Sequence, residues 1–194
     1  MLVVAFEGFS GSGKSTAIRA LVRHFSAKKL KVGIVSIDSA KNFADLKKIE
    51  KQYPIIHQIR DFLFLVLRIQ QGEKIEEMRK RGYNIVLIDR YVGSSCVFMK
   101  CGGFPNELIS WLKKNIKPKP DITLFFDLPY TIAKKRKRSR SIKQIDQSSL
   151  KMIEKTYKSF AKKEKWKHIN AHEQPEDVQR ACIKQISTAL KRKK

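Results

Sequence analysis

Gly8-Phe9-Ser10-Gly11-Ser12-Gly13-Lys14-Ser15 satisfies G-x-x-x-x-G-K-[ST] at every fixed position. Glycines at these positions let backbone N–H groups turn inward and cradle phosphate oxygens at the positive end of a following helix. In that chemistry Gly8, Ser10, Gly11, Ser12, Gly13, Lys14, Ser15 and Thr16 wrap a nucleoside triphosphate such as ATP. Lys14 then reaches the β- and γ-phosphates and the Ser15 hydroxyl ligates Mg²⁺. The apolar run Ile85-Val86-Leu87-Ile88 ends in Asp89, a carboxylate of the kind that shares such a metal directly or through water. The alternative for the loop is a Gly/Ser-rich strand–helix turn with no ligand, and Asp89 beside it weighs against that.

Two arginines extend the pattern. Arg90 follows Asp89 directly, and Arg68 lies in the otherwise apolar stretch 62–69, where a guanidinium needs an anionic partner. Phosphoryl transfer depends on positioning and charge neutralisation. Holding an acceptor phosphate against its own repulsion from a triphosphate calls for the fork of donors that arginine carries. An ion pair with Asp61 is the structural alternative for Arg68. Phe64 sits one turn before Arg68 on the same helical face.

These groups need a frame. Leu2–Glu7, Lys31–Asp38, Asn84–Asp89, Asp121–Asp127 and Trp166–Ile169 read as strands. Lys14–Ala27, Ile55–Lys80, Pro105–Asn115, Tyr130–Arg138, Ser148–Glu164 and Pro175–Lys191 read as helices between them. Nearly continuous apolar strands separated by helices imply an α/β fold, a five-stranded parallel sheet covered on both faces. Ligands in such a sheet bind at the carboxyl rim, which is where the loop, Asp89 and Arg90 fall. No linker or repeat divides residues 1–194, so one domain is expected.

Composition sets the bounds. In 194 residues, 42% are hydrophobic and 31% charged, which is globular and not disordered. The longest apolar run, Phe62–Leu67, is far short of the ~20 residues of a membrane span. Three cysteines, Cys96, Cys101 and Cys182, are odd in number and lack zinc spacing, so a reducing compartment is the default. The net charge is +24, unevenly spread: residues 111–194 hold 24 basic and 8 acidic side chains. That field favours polyanionic partners, nucleic acid among them. A lysine-rich solvated surface accounts for it equally well.

Phe6-Glu7-Gly8 into the loop, Phe64-x-x-x-Arg68, Asp89-Arg90-Tyr91-Val92-Gly93-Ser94-Ser95 and Pro120–Leu128 together resemble the thymidylate kinase family over residues 1 to about 185. The resemblance implies a three-layer P-loop nucleotide kinase that moves the γ-phosphoryl of ATP onto dTMP with Mg²⁺. It implies an acceptor site at Phe64, Arg68, Arg90, Tyr91, Ser94 and Ser95. It also implies a basic lid over about 137–148, with Arg136, Arg138 or Arg140 supplying a catalytic cation that the phosphate loop lacks. A cytoplasmic homodimer, joined through the apolar helix around residues 55–69, follows from the same likeness. Asn170-Ala171-His172 falls where the family holds adenine.

Four positions depart from the family pattern. Ser10 stands where an acidic residue contacts the acceptor sugar, and Ser36–Lys41 replaces an acidic turn, with Asp38 a possible substitute. Gly93 and Met99 fall where Asp- or Gln-type residues are usual, and Lys143-Gln144 where the lid carries Asp-Arg. A different nucleotide acceptor, a nucleic-acid 5′ end, or a non-catalytic ATP-dependent nucleic-acid-binding protein are the competing readings.

Overall fold

The computed structural model describes residues 1–37, 57–136 and 146–193. Five strands form one parallel sheet in the order β2-β3-β1-β4-β5. They are β1 (Leu2–Gly8), β2 (Val32–Ser36), β3 (Ile85–Asp89), β4 (Ile122–Asp127) and β5 (Lys167–Asn170). β1 is central and buried along its whole length. Its alternate residues feed two cores, as the two-residue period of a strand requires. Leu2, Val4 and Phe6 join one cluster with Ile18 and Leu21 of α1 (Lys14–Ala27). Val3 and Ala5 join the other with Val86 and Ile88.

The first cluster is closed by α7 (Pro175–Lys193), through Val178, Cys182 and Ile186, and by Leu150, Ile153 and Tyr157 of α6 (Gln147–Lys163). The second is covered by α2 (His57–Lys80), α3 (Val92–Cys101) and α4 (Asn106–Asn115), with Ile75, Cys96, Met99, Ile109 and Leu112 inside it. A short α5 (Tyr130–Arg136) follows β4. No helix among the described residues is long and apolar enough to cross a membrane.

All five strands and all six helices stand where the sequence places them, with ends shifted by a residue or two. α3 is the addition. Its sequence, VGSSCVFMKC, carries a glycine, β-branched residues and no side-chain cap, so local signals for a helix are weak. Burial of Cys96, Val97 and Met99 makes it one.

Register decides what meets at the rim. Phe6 lies opposite Asp89 and Gly8 opposite Phe126, so the phosphate loop, Asp89 and the end of β4 emerge together. Gly8 has φ 131°, and a Cβ there would stand 2.6 Å from the Phe126 carbonyl oxygen. The sharp exit from β1 therefore requires glycine.

Candidate active site

The loop ends in Gly13, whose φ of 90° makes it a left-handed N-cap for α1 with no side-chain capping bond. The first turn of α1 has no acidic residue. The positive end of its dipole is therefore left unneutralised by the helix itself, as an anion site needs. Lys14 is buried and folded back over the loop, its Nζ donating to Gly8 O at 3.0 Å, Phe9 O at 2.6 Å and Ser12 Oγ at 3.3 Å. Ser12 is buried beneath it, Ser10 and Gly11 are half-buried, and Ser15 and Thr16 are exposed on the first turn of α1.

Ser15 Oγ donates to Asp89 Oδ2 at 2.7 Å, joining the loop to the end of β3. The pair supplies two hard oxygen donors at one point of the loop's mouth, the chemistry that suits Mg²⁺.

Beyond Asp89 the chain turns through Arg90, which holds φ 63° although it has a side chain. Such a conformation costs on the order of 1–3 kcal/mol and persists where neighbours enforce it. The Arg90 carbonyl accepts from Arg68 Nη1 at 2.7 Å and from Gln71 Nε2 at 3.3 Å. Arg68 Nη1 also donates to Gln71 Oε1 at 2.8 Å, and its Nε to Ser95 Oγ at 3.1 Å. Both Arg68 and Gln71 are buried. Burial pulls the Arg68 guanidinium down to about 10, against the attraction of Glu7, so it remains cationic at neutral pH.

Glu7, part of the Phe6-Glu7-Gly8 run but given no role of its own by the sequence, is the carboxyl group at the centre. Its Oε1 accepts from the Tyr91 backbone N–H at 3.0 Å, and its Oε2 accepts a short bond from the Ser94 hydroxyl. Burial raises its pKa, while the Ser94 hydrogen bond and the charges of Arg68 and Arg90 work in the opposite direction. Arg90 Nη1 donates to Tyr157 Oη at 2.9 Å and to Ser94 Oγ at 3.2 Å. Burial works against the Arg90 charge, but Tyr157, Glu7 and Asp89 outweigh it and its pKa is raised.

The expected acceptor residues thus come together on α2, the β3–α3 turn and the first turn of α3. Phe64 is half-buried one turn before Arg68. Ser94 and Ser95 are buried and bonded to Glu7 and Arg68, and the Tyr91 hydroxyl donates to Lys117 O at 3.0 Å, away from Arg90. Ser94 and Ser95 thus brace the two arginines, while the Tyr91 side chain ties the turn to Lys117.

Two departures from the family pattern receive a physical explanation. A Cβ on Gly93 would stand 2.7 Å from the Trp166 ring and 2.8 Å from Glu7 Oε1. Met99 is fully buried in the second core. Met99 is thus enclosed in the core, and half-buried Gly93 has no room for a side chain beside Trp166 and Glu7.

Arg136, at the end of α5, donates from Nη1 to Ala171 O at 2.9 Å, just beyond β5. It is held beside Asn170-Ala171-His172. Asp38, Arg138, Arg140, Lys143 and Gln144 lie outside the described residues, as do residues 137–145 of the expected lid at about 137–148, whose last three residues cap and open α6.

Comparison with known proteins agrees with this geometry. The family model for thymidylate kinase matches residues 6–182. The thymidylate kinase of Desulfotalea psychrophila is 31% identical over 197 residues, an overlap covering 97% of this chain and 96% of that one. The probable thymidylate kinase of Archaeoglobus fulgidus is 29% identical, over 100% of this chain and 98% of its own. That of Pyrobaculum aerophilum is 29% identical over 92% of each. The matched residues span the phosphate loop, Arg68, Asp89 and Arg90 and reach from β1 into the last helix, and the chain belongs to the thymidylate kinase family.

Proposed function

We propose that this chain phosphorylates dTMP to dTDP with ATP, using the residues gathered at the carboxyl rim of β1 and β3. The observation that carries the reading is the second anion cup. Two arginines are fixed by Glu7, Gln71, Ser94 and Ser95 opposite a complete phosphate loop. A triphosphate-binding module with no acceptor has no use for it.

In this reading the loop N–H groups and Lys14 hold the β- and γ-phosphates. Lys14 exchanges its carbonyl partners for phosphate oxygens. Arg90 and Arg68 hold the acceptor phosphate in line with the γ-phosphorus and offset the negative charge that gathers there. Phe64 faces the acceptor base. Ser15 and Asp89 are the groups that would hold Mg²⁺, which when bound supplies charge neutralisation at the β- and γ-oxygens. Arg136 lies beside the adenine end of ATP, with Arg138 and Arg140 the remaining candidates for the lid cation. Residues 1–194 act as one domain in the cytoplasm.

A homodimer through α2 is part of the same reading. Val66 and Ile69 on α2 are 41% and 50% exposed and Trp111 on α4 is 58% exposed, beside a groove of about 570 Å³. Ile69→Glu is expected to halve the mass measured by light scattering; an unchanged mass removes α2 from the interface.

The test of function is ADP release over a panel of nucleoside monophosphates and single-stranded oligonucleotides. Turnover with dTMP is expected. Turnover with oligonucleotides alone transfers the reading to nucleic-acid ends, which the basic segment 111–194 would favour.

A further inference from the structure

Tyr157 touches both halves of the site and has no part in the assignments above. It lies in the third turn of α6 and is 1% exposed. Its ring sits 5.9 Å from that of Phe9, the second residue of the phosphate loop. Phe125 stacks on it at 6.0 Å with the planes 16° apart, and Phe98 meets it edge-on at 6.2 Å. Three aromatic rings therefore fix where the phenol points.

Its hydroxyl meets Arg90 Nη1 and Ser94 Oγ, both at 2.9 Å. The direction of these bonds follows from proton counting. Ser94 has one hydroxyl proton, and that proton goes to Glu7. Tyr157 must then donate to Ser94 Oγ, leaving its lone pairs to accept from Arg90. Burial raises the Tyr157 pKa, so the phenol keeps the proton this chain needs. The chain runs Tyr157 to Ser94 to Glu7, and Arg90 hangs from its first member. Without the phenolic oxygen, Arg90 Nη1 keeps only the 3.2 Å bond to Ser94 among the described residues. Arg90 Nη2 has no partner among those residues and is the edge of the fork available to a ligand.

We propose that Tyr157 is a positioning residue: its ring is braced on Phe9 of the phosphate loop, and its hydroxyl fixes the Arg90 guanidinium at the angle that meets the acceptor phosphate. One side chain thereby contacts both anion cups, in addition to the β1–β3 register and the Ser15–Asp89 bond. The proposal rests on the acceptor role given to Arg90 above.

Tyr157→Phe keeps the ring among its three neighbours and removes only the oxygen. A lost hydrogen bond to a charged group is worth about a tenfold or larger change. The acceptor KM is expected to rise about tenfold, with the ATP KM within about twofold and the melting temperature within a few degrees of wild type. In an Arg90→Lys background the same change is expected to add little, because the fork is already gone. An unchanged acceptor KM, equal losses for both substrates, or full additivity with Arg90→Lys would overturn the proposal.

A substrate-free measurement separates this from the functional reading. ¹⁵N NMR of the Arg90 guanidinium is expected to give distinct Nη resonances in wild type and averaged ones in Tyr157→Phe. Averaged resonances in wild type would overturn the proposal even in an active kinase. An inactive enzyme with distinct resonances would count against the functional reading alone, leaving the anchoring of Arg90 established.

Discussion

The guanidinium of Arg68 donates to the backbone carbonyl of Arg90 at 2.7 Å. One arginine thus holds the main chain of the other in its left-handed turn, and the Arg90 side chain is aimed by its neighbour's backbone grip. The two cations stay 22 residues apart in sequence but act through one peptide group, with Glu7 between them as counter-ion.

Arg68→Lys should therefore do more than remove donors from a ligand. An ammonium cannot reach Arg90 O, Gln71 and Ser95 together. Loss of about 2 kcal/mol of stability is expected from the unsatisfied buried groups, with the acceptor KM raised about tenfold and the ATP KM little changed. Urea denaturation and initial-rate kinetics check both halves. A loss of acceptor affinity at full stability would mean that the clamp on Arg90 is not structural.

Lys14→Ala is expected to lower kcat by a factor of about 10² to 10³, the usual effect of deleting one charge-stabilising donor. Circular dichroism should remain that of the wild type. Near-normal turnover would undo the assignment of the loop to the donor triphosphate.

Gly8 and Gly13 are both left-handed, yet they should respond differently to alanine. At Gly8 the new methyl group meets the Phe126 carbonyl at 2.6 Å, whereas at Gly13 nothing lies within 4 Å. Gly8→Ala is expected to cost about 3 kcal/mol, and Gly13→Ala about 1 kcal/mol from backbone strain alone. Denaturation midpoints give the order, and the reverse order would contradict the register of β1 against β4.

Gly93→Asp would introduce the acidic type that the family resemblance leads one to expect near this position. The new carboxylate would be driven into Trp166 and against Glu7. Lower stability with no gain in dTMP use is expected. Improved dTMP turnover would mean that residue 93 faces the cleft after all. Ser10→Asp, on the half-buried loop position, is the substitution expected to improve dTMP use instead.

Glu7 sets a pH dependence with a definite sign. Its folded-state pKa is raised above the ordinary 4.5, so the native state binds the proton more tightly than the unfolded chain does. Stability attributable to this group falls as pH rises from about 4.5 through the raised value. The stability of wild type relative to Glu7→Gln should decline over that interval in urea titrations between pH 4 and 8. A difference that grows with pH would show the carboxylate to be held in its charged form by Arg68 and Arg90.

Legibility in the sequence follows the range of the interaction responsible. The phosphate loop is local: eight adjacent residues specify their own backbone, and Lys14, Ser15 and the Gly8 turn stand where the spacing puts them. β1, β3 and β4 are legible as nearly continuous apolar runs, whereas β5 buries only Ile169 and β2 only Gly33 and Val35. Arg68 is recognisable as a cation out of place in an apolar helix, yet its partners, Gln71, Ser95 and the Arg90 carbonyl, leave no such trace. Glu7 could have been found by the same reasoning, since a carboxylate ending the run Leu2–Phe6 also needs charge partners. Tyr157 could not. On α6 it continues the apolar stripe of Leu150 and Ile153, and only the folded chain brings its hydroxyl to a residue 67 positions away.

The indole of Trp166 lies against Gly93, three residues beyond the arginine that turns toward the acceptor, while Trp111 is 58% exposed on another helix. With these the chain's two tryptophans, Trp111→Phe leaves a single tryptophan, excitable apart from the five tyrosines, behind that turn. Its emission gives a label-free optical readout of occupancy at that turn, including for nucleotides that bind without being consumed.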